Sequence, residues 1–203
     1  MVSRQYTDDQ YPDALLEGDV LRAAFLGVQD KLKEAFPEQA FRHFVMPPSP
    51  TKGVWDKMLG ACPAIALSWA GWRPSRDTGP VYRGTLSFPV FLLVHHNSVE
   101  HLYLGSTDRW GVGILGMTAM AVAMLHGRQI DPIGTLHVRE VDAPAGLDWL
   151  DDRTAFAGLS IELRDVALDD VTLSEALPAF LRLRETWLVA AETAEETVKI
   201  RKE

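Results

Sequence analysis

RGTLSFPVFLLV, residues Arg83 to Val94, changes its apolar pattern halfway along. From Tyr82 to Phe88 apolar and polar residues alternate, whereas Val90 to Val94 is continuously apolar. A period of two belongs to a strand with one solvated face, and an unbroken apolar run belongs to a strand covered on both. One antiparallel strand, Val81 to His95, therefore passes from a half-solvated region into a part clothed on both sides. Pro89 has no N–H to give to a ladder, so a bulge or an edge position is expected there. The preceding apolar segment, Ala64 to Trp72, is a second strand, and Pro74, Gly79 and Pro80 supply the turn of a long hairpin.

Helical patterns flank this hairpin. Between Asp19 and Phe36, the residues Val20, Leu21, Ala24, Phe25, Val28, Leu32 and Phe36 recur near helical spacing, Asp19 can cap the first turn and Pro37 stops the last. Such an amphipathic helix must bury one stripe against something else. Prolines 47, 48 and 50 and Gly53 forbid long elements before Pro63, leaving room for a short strand at Phe41–Val45 and one helical turn at Val54–Leu59. A second main helix is predicted from a cap at Ser106, Thr107 or Asp108 to about Leu125, with Gly127 free to take the left-handed conformation after it. Thr135–Val141 and Thr154–Leu163 alternate as strands.

Helix, strands, helix, strands without regular alternation is the signature of an α+β fold. The expected architecture is a largely antiparallel or mixed sheet of about four to five strands with two main helices packed on one face. Residues 1–18 are expected to form an N-terminal extension, 19–166 the α+β domain, and 167–203 a C-terminal arm and tail. The arm carries Leu181, Leu183, Trp187 and Val189, spaced for an added strand, while Phe180, Leu183 and Trp187 also suit a helix.

Composition narrows the partners. Twenty Lys and Arg against 28 Asp and Glu leave a net charge of −8, which disfavours a general nucleic-acid or anionic-membrane binder. Cys62 is the one cysteine, so an intramolecular disulfide is impossible and a reducing cytoplasm is expected. Met1–Asp13 lacks the apolar stretch of a secretory signal, and Trp110–Leu125, the longest apolar run, contains three glycines and is shorter than the roughly 20 residues that span a bilayer. Neither export nor membrane insertion is expected.

Gly111, Gly113 and Gly116 spell GVGILG, the literal dinucleotide fingerprint, with Asp131 at the matching distance. That fingerprint requires a buried strand running into its first glycine, and Ser106 to Trp110 read instead as a helix cap. Close backbone packing of a glycine-bearing helix accounts for the triplet without a nucleotide. His95, His96, Glu100 and His101 are the densest group of metal-ligand types, but adjacent residues on a strand point to opposite faces. A strand ending in a polar turn is the simpler reading. Ser87 and Ser160 lack a nucleophile elbow, and Cys62 reads as a buried inert thiol. No catalytic, cofactor or metal residue is assigned. Tryptophan favours interfaces. Trp72 near the hairpin tip and Trp187 in the arm are the best candidates for contact with a neighbouring chain, together with Leu181, Leu183 and the arginines Arg73, Arg76 and Arg83, which fit an acidic partner or stand as solvated loop residues.

The N-terminal helix, the proline-rich link, PAIALSWAG at Pro63–Gly71, RGTLSFPVFLLV at Arg83–Val94 and a helix ending MLHG at Met124–Gly127 together resemble the Mu-like phage tail-terminator (tail completion) family. The resemblance runs from about Val20 to Val166 and continues into LPAFLRLRETW at Leu177–Trp187. It rests on the order of elements more than on one diagnostic motif. What it implies is a non-enzymatic virion protein of the neck of a contractile tail, assembled in the host cytoplasm. The family's role implies a homo-oligomer, a hexameric ring, capping the head-proximal end of the tail tube. Its implied partners are tail tube protein, head–tail connector protein and the tail sheath, with DNA passing through the lumen without specific binding. Another head–tail joining subunit is the nearest alternative. A dinucleotide-binding enzyme using Gly111–Gly116 is the alternative from a different class, and a metal-dependent hydrolase at the histidines is a third.

Overall fold

The computed structural model describes residues 19–47, 49–76, 81–106, 111–143 and 151–168. Contacts group Ala23–Ala167 as one compact unit, and Met1–Arg22 with Leu168–Glu203 as another; the first carries the fold described below. Its elements in chain order are α1 (Asp19–Ala35), β1 (Arg42–Met46), α2 (Lys52–Leu59), β2 (Ala64–Ser68), β3 (Gly71–Pro74), β4 (Arg83–His95), α3 (Val99–Leu104), α4 (Ile114–Leu125), β5 (Gln129–Ile130), β6 (Gly134–Asp142) and β7 (Thr154–Ala167). The class is α+β. The sheet runs β1-β2-β4-β7-β6-β5, with β3 also paired to β4, and every pairing is antiparallel except β1 with β2. That makes a mixed sheet of seven strands where about four to five were expected. The increase comes from a break between β2 and β3 and from the two-residue β5, too short to leave a period.

β4 is the axis of the sheet, and its two faces differ. Leu86, Phe88, Val90, Leu92 and Val94 lie on one face, in register with Leu163, Ile161, Leu159, Ala157 and Ala155 of β7, and all are buried. Phe25 of α1 meets Phe88 edge-on, at 6.2 Å between ring centroids. Helix α4 contacts β4, β6 and β7, and its buried Ile114, Met117, Ala121 and Leu125 complete this cover. Ala24, Val28 and Leu32 of α1, and Phe36 just beyond its end, are buried and recur every four residues, the stripe read from the sequence.

Among the described residues, the opposite face is only half covered. Ala64, Ala66 and Leu93 bury there under Met58 of α2 with Met46, and Phe44, Trp55, Phe91 and Phe156 pack around them. Phe91 and Phe156 stack at 5.6 Å, and Trp55 stands edge-on to both. Helix α2 is the connection between β1 and β2, and a parallel pair needs such a crossover. The apolar run Val90–Val94 is thus clothed on both sides, and the alternating run before it on one.

Pro89 produces no edge. Leu67 pairs with Val90 and Gly71 with Ser87, so Ser68, Trp69 and Ala70 stand opposite only Phe88 and Pro89. The bulge expected near Pro89 therefore lies on the neighbouring strand. Ser87 turns its carbonyl to this side, accepting from the Ala70 N–H at 2.9 Å, and Pro89, two residues on, faces the same interruption. A missing N–H is tolerated there because the ladder is already broken.

The second main helix starts later than expected, at Ile114 with Gly113 as N-cap. Of the three expected caps, Ser106 instead accepts the Gly111 N–H on its hydroxyl at 2.8 Å, while Thr107 and Asp108 lie outside the described residues. The short α3 lies before this stretch and is ended by Gly105 at φ 79°. Gly127, at φ 75°, does end α4 as expected. No helix among the described residues is long and apolar enough to cross a membrane.

Candidate functional site

The uncovered half of the second face is polar, and its centre is Glu162. This residue sits on β7 in register with Ser87 of β4 and His137 of β6, and is 8% exposed. Three guanidinium groups converge on its carboxylate: Arg139 and Arg164 at 3.4 Å and Arg73 at 3.6 Å, with Arg73 also donating to the Ser87 hydroxyl at 3.3 Å. Each arginine comes from a different strand, β3, β6 or β7.

Two irregularities flank the cluster. Val138 pairs with Ile161 and Glu140 with Ser160, which leaves Arg139 as an extra residue in β6. On β7 the register with β4 shifts between Gly84 and Leu86, and the inserted pair is Arg164 and Asp165, the latter at φ 60°. Bulges at such positions bend a strand and re-aim its side chains, and aspartate is among the few residues that tolerate the left-handed region. The three arginine side chains remain 50–74% exposed, so much of their donor capacity faces solvent.

Of the residues singled out in the sequence, Arg73 and Arg83 share this face, being in register with Thr85 and Ala167. Arg76 is exposed just beyond β3. Trp72 lies on the other face, half-buried, edge-on to Tyr82 at 4.6 Å, and the Tyr82 hydroxyl donates to the Trp72 carbonyl at 3.2 Å. The Trp72 indole N–H is buried without a partner among the described residues. Leu181, Leu183 and Trp187 lie outside the described residues. Glu162, Arg139 and Arg164 were missed. Alternation marked Glu162 as solvent-facing, and the available signal was Arg164 two residues on, pointing the same way.

Further along the same face, away from the cluster, Phe91, Phe156, Gly158, Asp142 and Ala143 line an open groove of about 360 Å³. The far end of the same strands is acidic. Asp142, Asp151 and Asp152 are exposed there, accompanied by Arg153. The Thr154 hydroxyl at 2.6 Å, and secondarily the Arg153 backbone N–H, hold the Asp151 carboxyl below its ordinary range.

The glycine triplet is not built as a nucleotide cradle. Gly111 and Gly113 precede α4 rather than lying in it, and among the described residues the element before them is the helix α3 rather than a strand. A Cβ on Gly113 would collide with the backbone of Gly105 and Tyr103, so its face is occupied by the chain itself. Gly116 has open space beside it, which removes the expected close helix approach at that position. His95 ends β4, the His96 Nδ1 accepts the Ser98 N–H at 3.0 Å, and the His96 and His101 rings meet at 4.7 Å. Among the described residues no three His, Cys, Asp or Glu side chains are grouped to hold a metal ion. Burial, and secondarily Asp151, pushes the Cys62 thiol up to about 11, which makes it a poor nucleophile near neutrality.

No family model and no curated protein matches the chain. Solved structures do match. One is a chain of the virion of a native gene transfer agent particle, 12% identical, with a TM-score of 0.42, covering 74% of this chain and 98% of that one.

Proposed function

We propose that this chain is a structural, non-enzymatic subunit of a phage-like particle, and that it forms a ring terminating the head-proximal end of a tail tube. The reading is supported by the resemblance of the segments Pro63–Gly71, Arg83–Val94 and Met124–Gly127 to tail terminators. The observation that carries it is the one-sided sheet, with two main helices on one face and half of the other face left open by the described elements around Glu162. A subunit that assembles needs uncovered surface with satisfied polar groups, and this face has both. A terminator works by offering a tube-like docking surface on one side and withholding it on the other. Six-fold repetition multiplies weak individual contacts through avidity, so modest interfaces suffice.

The decisive experiment is co-assembly with the cognate tube protein. Tubes grown with the chain are expected to stop at a bounded length; unrestricted growth at equimolar protein contradicts the function. The nearest rival is another neck subunit acting on the connector side, and it is separated by which partner, tube or connector protein, the chain binds. Calorimetric titration with a nicotinamide dinucleotide tests the enzyme alternative, and tight binding would favour it.

A further inference from the structure

The strands that cross the sheet carry opposite charge at their two ends. Around the hairpin half stand Arg73, Arg76, Arg83, Arg139 and Arg164, against Glu140, Glu162 and Asp165. At the other end of β6 and β7 stand Asp142, Asp151 and Asp152, against Arg153. Among these described groups one end is in positive excess and the other in negative excess, within a chain whose net charge is −8.

From this juxtaposition we propose that the arginine-bearing half of the sheet receives the aspartate-bearing strand ends of a second copy, making a head-to-tail subunit contact. This deepens the assembly reading above and rests on it. The guanidinium groups are fixed by Glu162 at 3.4–3.6 Å, which holds them ready at reduced entropic cost while their remaining donors stay exposed. Glu140, Glu162 and Asp165, set among the arginines, reduce the positive excess of this half, which disfavours a continuous phosphate backbone. Pairing of unlike halves is compatible with a two-fold or a heterologous contact; the ring proposed above selects the heterologous arrangement, which closes into rings when the rotation permits. Asp151, held ionised by Thr154 and the Arg153 amide, keeps its charge through mildly acidic pH.

The test is sedimentation of the full chain. Wild-type protein is expected to self-associate at low salt and to do so about tenfold or more weakly near ~0.5 M salt. Arg73→Glu with Arg83→Glu is expected to abolish association, as is Asp142→Lys with Asp152→Lys. Arg83→Glu alone provides a second variant should the first misfold by circular dichroism. Mixing the two doubly reversed proteins should restore higher species, because both pairings between them, the native and the reversed, join unlike charges. Combining all four substitutions in one chain should restore higher species. Association unchanged by either pair of reversals, or reversed variants that stay apart or stop at species of two chains when mixed, overturns the contact while leaving tube termination to its own assay. A duplex DNA fragment that binds the wild type and is released by the arginine reversals, with self-association intact, also overturns it.

Discussion

Leu93→Ala and Thr85→Ala probe the two halves of one strand face. Both side chains point to the same side of β4, eight residues apart, but Leu93 is wholly buried under α2 whereas Thr85 lies where no helix covers the sheet. Removing a buried leucine to alanine costs about 2–5 kcal/mol, depending on how far the site collapses. Leu93 touches a cluster containing Met46 and Met58, whose flexible side chains fill part of a void, while the stacked Phe91 and Phe156 resist movement. A loss of about 3 kcal/mol is therefore expected. Thr85→Ala is expected to stay within about 0.5 kcal/mol. Urea denaturation followed by tryptophan fluorescence reads both, with the slope unchanged so that the midpoint shift reports stability alone. A Leu93→Ala loss below about 1 kcal/mol, or a Thr85 loss equal to it, would refute the half-covered face.

Gly113→Ala places a methyl group in the backbone of Gly105 and Tyr103 and is expected to cost about 1–3 kcal/mol, whereas Gly116→Ala, in open helix, is expected to stabilise by up to about 1 kcal/mol; thermal melts distinguish them. Asp165→Val, at φ 60°, is expected to destabilise, and Asp165→Gly to be neutral or stabilising, read by the same melts. Because burial raises the Cys62 pKa from its ordinary 9.0 to about 11, the folded state binds that proton more tightly than the unfolded state. The stability this contributes is complete below the ordinary value and is lost as pH rises from 9.0 to about 11, and alkylation by iodoacetamide near pH 8 is expected to be far slower than in urea.

The fold was legible where one residue pattern had one physical cause. The switch from alternation to an unbroken apolar run in β4 was expected to reflect the onset of two-sided cover, and α2 over Leu93 and Phe91 supplies that cover. The stripe Ala24, Val28, Leu32 and Phe36 located α1, and Pro37 and Gly127 marked helix ends. What could not be read depended on neighbours distant in sequence. The bulge that accommodates Pro89 lies at Ser68–Ala70, which only the pairing with β4 reveals. The start of α4 was misplaced because Ser106 has the chemistry of an N-cap and spends it on the Gly111 amide in a loop. The arginine cluster was half legible: the hairpin supplied Arg73 from the local charge, while Arg139 and Arg164 reach Glu162 through register and two bulges that no local signal encodes.

Electron microscopy of tail tubes assembled with a gold-labelled form of this chain tests the proposed function most directly. Termination requires label at one end of each tube and growth arrested there. Label scattered along the walls, or bare tube ends that continue to lengthen in its presence, would contradict it.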